Sequence, residues 1–150
     1  MGVKKMKNYE KMQTYLSNLA VLNTKLHNLH WNVEGKRFVQ VHEYTEGLYD
    51  NFFEKFDEVA ELMKMKAEMP LVKMSDYLEN ATIEELDAKV FGCQEVLEIV
   101  AADLKEMKAL ATEIRNDADE AGDFEVVGEF EEHVAGYRKD LWFLRSMLVD

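Results

Sequence analysis

A chain of 150 residues and 17.5 kDa fits one domain large enough to bury a core without disulfides or a structural metal. Its composition of 47% apolar and 32% charged residues, with seven glycines and one proline, suits helices and excludes both disorder and a many-stranded β fold. Thirty acidic against eighteen basic residues leave a formal charge of −12, a field that repels nucleic acid and anionic lipid and gathers cations.

The N-terminal stretch from Met1 to Lys7 has no apolar core of a leader, and the longest charge-free run, residues 12–24, is far short of a membrane span. A soluble, cytoplasmic protein is expected, with residues 1–8 as a short tail and residues 9–150 as the domain. In the domain, Met12, Tyr15, Leu19, Leu22, Leu26, Leu29 and Val33 recur at steps of three and four, which places an apolar stripe on a helix over residues 8–34. Gly35 is the residue expected to end it. A second helix over 37–66 carries Phe38, Val41, Leu48, Phe52, Val59 and Leu62, and so short a link makes the two antiparallel neighbours.

The pattern breaks around Pro70, and residues 75–78 offer at most a short helical turn before Ala81. Thr82 followed by Glu85 reads as a capping box that opens a third helix, with a seam from Ile83 through Leu86, Val90, Cys93 and Leu97 to Ile114. The single cysteine, Cys93, has no partner for a disulfide or a thiolate site and points to a reducing compartment. Residues 116–123 read as a hinge, and a fourth helix buries Val127, Phe130, Val134, Tyr137, Leu141, Leu144 and Leu148. Four amphipathic helices make an all-α bundle. The fifteen-residue connection 67–81 can span about 50 Å, enough to pass along a helix of about 42 Å, which favours a ferritin-like four-helix bundle with a long crossover between the second and third helices.

Of the four histidines, His27, His30, His42 and His133, those with acidic company matter most. His42 and Glu46 are four apart, as are Asp57 and Glu61, and on a helical wheel the four fall at about 0°, 40°, 60° and 100°. They form one stripe, and imidazole with carboxylate suits iron, zinc or manganese. Yet His42 and Glu61 are about 28 Å apart along a helix, too far for one ion. If two copies of the helix pack antiparallel about a two-fold axis, residues that meet share a constant sum of residue numbers. His42 with Glu61 and Glu46 with Asp57 satisfy the same sum. Gly47 then faces Phe56, a place where glycine suits a close approach, and Asp50 faces Phe53. His30, at the end of the first helix, is placed to add a nitrogen, with Trp31 beside it.

An intra-bundle di-iron centre would use Glu-x-x-His motifs, and none occurs: Thr24, His27, Val39 and Phe130 precede the histidines by three. Nucleophile elbows, phosphate loops, His-Glu-x-x-His and paired cysteines are also absent from the sequence. The nine methionines, mostly at helical spacing, read as filler of core and surface.

The run from His27 to Gly35, with Phe38, His42-Glu43, the segment Asp57-Glu58-Val59-Ala60-Glu61, Tyr77-Leu78 and the segment from Asp140 to Arg145, closely resembles the Dps family of mini-ferritins over nearly the whole chain. The resemblance implies a hollow dodecamer of ferritin-like bundles, with a short helix in the crossover and ferroxidase centres at two-fold interfaces. His30 and His42 would come from one subunit and Asp57 and Glu61 from its partner, with Glu46 standing where the family often has aspartate. Trp31 matches a tryptophan near the centre that accepts oxidising equivalents.

The activity so implied is oxidation of Fe(II) by hydrogen peroxide in preference to dioxygen, with storage of the ferric mineral and protection against oxidative stress. The carboxylates Asp117, Asp119, Asp123 and Glu125 are candidates for a pore, although Val126-Val127-Gly128-Glu129-Phe130 departs from the family pattern there. DNA binding, which gives the family its name, is not expected, because only Lys4, Lys5 and Lys7 oppose a repulsion that assembly multiplies twelve-fold. The rival readings are a DNA-compacting protein and a catalytically silent scaffold.

Overall fold

The computed structural model describes the backbone of residues 2–149 and the side chains of residues 8–149. Five helices and two short strands follow in chain order: α1 (Gly2–Asn32), β1 (Val33–Glu34), α2 (Phe38–Met65), α3 (Met74–Asn80), β2 (Phe91–Gly92), α4 (Cys93–Ala121) and α5 (Phe124–Met147). The long helices pair as α1 with α2 and α4 with α5, and α1 packs on α4 to join the pairs. The stripes read from the sequence are the core: Tyr15, Leu19, Leu22, Phe52, Val59, Leu97, Leu104, Met107, Phe130 and Tyr137 are all buried. Complete burial of such side chains contributes about 1.5–3 kcal/mol each, so tertiary packing rather than helix propensity holds the bundle.

The backbone of α1 is helical from Gly2, so the segment expected as a tail continues the first helix, while the side chains of residues 1–7 lie outside the described residues. At its other end α1 stops at Asn32, before Gly35. Gly35 takes φ +141°, and a Cβ there would stand 3.0 Å from Cys93 Sγ. Its function is close approach to the start of α4, not the expected cap of the first helix. Val33 and Glu34 pair in parallel with Phe91 and Gly92, which pins this turn to the crossover.

The largest departure concerns the third helix, which starts at Cys93 rather than at Thr82. Asn18 of α1 explains it. Its Oδ1 accepts from the backbone N–H of Thr82 at 2.8 Å and of Ile83 at 3.2 Å, while its Nδ2 donates to Thr82 Oγ1 at 3.0 Å. Asn28 Nδ2 donates to the carbonyls of Leu86 and Asp87, both at 3.2 Å. These bonds hold residues 82–87 along α1 and occupy groups a helix would need. Ile83 still reaches the core, but Val90 is exposed. The helix opens instead at Gly92, whose N–H donates to Glu95 Oε1 at 3.3 Å.

The crossover holds a helix of seven residues, the short helix that the family resemblance implies, where the local pattern alone offered at most a turn. Within α3, Tyr77 is buried with its hydroxyl donating to Leu71 O at 2.6 Å. The hinge expected over 116–123 shrinks to Gly122 and Asp123, since α4 runs to Ala121 and ends in a Schellman motif: Asp123 N–H donates to Ala118 O at 2.8 Å and Gly122 N–H to Asp119 O at 3.1 Å. On α5 the buried seam takes in Val126 and His133, with Val127 and Val134 at its edge.

Candidate metal centre

The last turn of α1 and the first turns of α2 meet across residues 33–37, and this brings His30 against His42. His30 Nδ1 lies 2.7 Å from the carbonyl oxygen of His42, and His42 Nδ1 lies 2.9 Å from that of His30. Only an N–H can pair with a carbonyl, so each Nδ1 carries its proton and each Nε2 presents a lone pair. The rings stack with centroids 3.7 Å apart and planes 14° apart. Thr45 Oγ1 stands 3.1 Å from His30 Nδ1 and donates its own hydrogen into the same turn, to Val41 O at 2.9 Å.

Glu46 completes a three-donor group. Its Oε1 is 4.0 Å from His30 Nε2, and the donors of His30, His42 and Glu46 all lie within 4.8 Å of one another. Burial holds the His30 imidazole below its ordinary pKa, against the opposing hydrogen bond to His42, so the neutral ring that ligates metals is favoured. Two imidazoles and a carboxylate suit a borderline divalent ion such as Fe(II) or Zn(II).

Aromatic rings surround the pair. Phe38 stacks on His42 at 5.0 Å, Tyr49 meets His30 edge-on at 5.2 Å, and His27 stacks on Tyr49 at 3.8 Å. Trp31 is 68% exposed and its ring contact is with His27, at 5.4 Å. Thr45 and Tyr49 were passed over in the sequence, although they sit at i+3 and i+7 from His42, on the same face of α2.

Asp57 and Glu61 stand farther along the same face of α2, exposed, and one subunit does not bring them to the histidines. Each carboxyl crowds the other, and the Asp57 side chain, through a hydrogen bond and its charge, raises the Glu61 pKa. Between the two halves the stripe exposes Phe53, and Met74 of α3, also exposed, lines a small cavity with it. Gly47 lines a cleft between α2 and α5, and a Cβ there would meet nothing within 4 Å in the subunit.

The carboxylates considered for a pore are all engaged by cations of their own chain. Asp117 pairs with Lys11 at 2.8 Å, Asp123 with Lys66 at 2.7 Å and Asp119 with Arg115 at 3.8 Å, and Glu125 also pairs with Lys66. No helix among the described residues is long and apolar enough to cross a membrane.

A bundle with this crossover and a histidine-carboxylate group on its face defines a ferritin-like protein, and a model of the ferritin-like domain matches residues 9–150. The DNA protection during starvation protein of Helicobacter pylori is 30% identical over 143 residues, covering 95% of this chain and 99% of that one. The crystal structure of a Dps protein from Bacillus brevis superposes with a TM-score of 0.91 at 28% identity, covering 99% and 98%. Antigen TpF1 from Treponema pallidum superposes with a TM-score of 0.97 at 27% identity, covering 100% and 96%. This chain belongs to the Dps family of mini-ferritins within the ferritin-like fold.

Proposed function

We propose that the chain is a subunit of an iron-oxidising, iron-storing mini-ferritin in the cytoplasm. Fe(II), as substrate, is held by His30, His42 and Glu46 of one subunit with Asp57 and Glu61 of its two-fold partner. The single observation that carries this is the reciprocal clamp of the two histidines, which leaves both Nε2 lone pairs free, that of His30 4.0 Å from Glu46 Oε1 and all three residues' donors within 4.8 Å of one another. A surface histidine kept for solubility needs no such tautomer lock, whereas a ligand does. The second half of the stripe supports the shared site. Asp57 and Glu61 crowd one another, and an exposed Phe53 lies between the halves where an antiparallel copy of α2 would cover it.

Within this site the chain's own groups hold and orient Fe(II). The buried, neutral His30 binds without first losing a proton at neutral pH. Hydrogen peroxide takes two electrons, one from each of two Fe(II) ions, and with two protons leaves as water, so no hydroxyl radical is released. Trp31, exposed and next to His27, is placed to take up stray oxidising equivalents. Ferric product is retained within a shell of twelve subunits, and zinc or manganese competes for the same donors.

The test is gel filtration after anaerobic Fe(II) loading and addition of peroxide, reading iron and protein together, beside His42→Ala. Iron is expected to elute with a particle of about twelve subunits and to be poorly retained by the variant. A small or iron-free particle would leave a silent scaffold as the better reading. In a gel shift at about 150 mM salt, near physiological ionic strength, no saturable retention of DNA is expected.

A further inference from the structure

The core of the bundle holds a chain of four polar side chains that the proposed iron centre does not use. Tyr15 of α1 and Tyr137 of α5 are wholly buried with their hydroxyl oxygens 2.5 Å apart, and the Tyr15 hydroxyl lies 2.8 Å from His133 Nδ1. His133 Nε2 lies 2.7 Å from Glu129 Oε2. Because the buried His133 also lines the cleft between α2 and α5, the chain runs from the middle of the core to the cleft wall.

The hydrogens along it follow from the carboxylate end. The bond from His133 holds the Glu129 carboxyl below its ordinary pKa, and an ionised carboxylate only accepts, so Nε2 carries the imidazole proton. Nδ1 of the neutral ring is then a lone pair that accepts from the Tyr15 hydroxyl, and the Tyr15 oxygen accepts in turn from Tyr137. Donation thus runs one way, from Tyr137 through Tyr15 and His133 to Glu129.

A phenol needs only one acceptor to be satisfied, whereas Tyr15 faces a base with a carboxylate behind it, the arrangement that moves a proton without solvent. Burial pushes the Tyr15 hydroxyl far above its ordinary pKa, so in this core an electron leaves the ring only together with the proton. Lys55 of α2, beside Glu58 on the same cleft, lies 5.5 Å over the ring of Tyr137, and its charge opposes removal of an electron from that ring. Tyr15 is left as the more easily oxidised of the two.

We propose that Tyr15 is a one-electron donor site in the core of each subunit, serving oxidants of the hydroxyl-radical class that reach the α2–α5 cleft, with His133 as its proton acceptor and Glu129 as a positioning residue. The ring gives one electron to the hydroxyl radical, which leaves as hydroxide. The Tyr15 O–H bond breaks and its proton bonds to His133 Nδ1, giving a neutral phenoxyl radical that still accepts from Tyr137 and an imidazolium facing the Glu129 carboxylate. Return of an electron sends the proton back. The site uses neither the His30–His42–Glu46 group nor Trp31, and complete burial keeps the radical from coupling with another molecule.

The test holds no iron, so its outcome is separate from that of the proposed iron centre. Assembled, metal-free protein is illuminated with a ruthenium(II) polypyridyl and persulfate, which supply a one-electron oxidant, and the phenoxyl radical is followed by its near-ultraviolet band and by electron paramagnetic resonance. A tyrosyl radical is expected in the parent, with most of it lost in Tyr15→Phe. Glu129→Gln should slow its formation about ten-fold, equivalent to about one pKa unit on the imidazole, with helicity unchanged. Tyr137→Phe should keep the radical and raise its largest g value, because the phenoxyl oxygen loses a hydrogen-bond donor. These two variants keep the test decisive if Tyr15→Phe fails to fold. No tyrosyl radical in the parent, a yield that ignores Tyr15→Phe, or a rate that ignores Glu129→Gln overturns the site.

Discussion

A ligating histidine depends on what fixes its other nitrogen, and here the backbone carbonyls of two histidines fix each other with Thr45 packed against the joint. Thr45→Val keeps the volume and removes the hydroxyl. It should lower Zn(II) affinity at the His30–His42 centre by about ten-fold, the usual cost of losing an outer-shell partner. Calorimetry on assembled protein measures this, and an unchanged affinity would mean that the carbonyl clamp suffices alone. His42 and Glu46 were readable from the sequence because a turn separates them on one face. The same spacing joins Glu129 to His133, but a search for Glu-x-x-His excludes it, and Tyr15, which bonds His133 in the core, is 118 residues away. Another single-residue feature is Ala67, which holds φ +63° at the end of α2 where a glycine is usual, with Glu68 N–H donating to Met63 O at 2.9 Å. The left-handed conformation costs an L-residue about 1–2 kcal/mol, partly offset by the greater unfolded freedom of glycine. Ala67→Gly should therefore stabilise by about 0.5–1 kcal/mol, seen as a higher urea midpoint at unchanged slope; a lower midpoint would refute the strain.

At the scale of elements, α1 organises its neighbours through polar side chains as well as through its stripe. Lys25 Nζ lies 2.8 Å from Asp103 on α4, with both side chains nearly buried. Burial raises the Asp103 carboxyl above its usual range even against the Lys25 charge, so desolvation outweighs the pairing there. Removing one partner leaves an unpaired buried charge, and Lys25→Met should cost about 3–5 kcal/mol at pH 7. The sign of the pH effect follows from the raised pKa: the folded state holds the Asp103 proton more tightly, so the penalty is present above the folded pKa and relieved as pH falls toward the unfolded value. Urea titrations at pH 7 and pH 5 should show the deficit of Lys25→Met shrinking on acidification, and a constant deficit would contradict this. The same polar reach of α1 explains why the start of α4 could not be read. Thr82, Glu85 and the apolar spacing after them agree with a helix at every local level, and only Asn18, sixty-four residues earlier, decides otherwise. By contrast the α1–α2 hairpin was legible, because its stripes and its short link are local facts. Long-range side-chain bonds to backbone leave no periodic trace.

At the scale of the whole molecule, the question is whether the two halves of the α2 stripe belong to one site. Geometry within a subunit separates them by about 28 Å of helix, and only an antiparallel neighbour about a two-fold axis returns Asp57 and Glu61 to the histidines. Shells that mix His42→Ala subunits with Asp57→Ala subunits test this directly. In a mixed dimer one site draws His42 from one chain and Asp57 from the other and is intact, while the second site carries both lesions. Random pairing makes about half the dimers mixed and so restores about a quarter of all sites, against none in shells of either variant alone. Peroxide-driven Fe(II) oxidation, followed by ferric absorbance, should therefore recover to about a quarter of the unchanged protein's rate. The signal is absent if each subunit holds a complete centre, because every chain in the mixture then carries its own lesion. Verified mixing without recovery would argue for a site within one subunit.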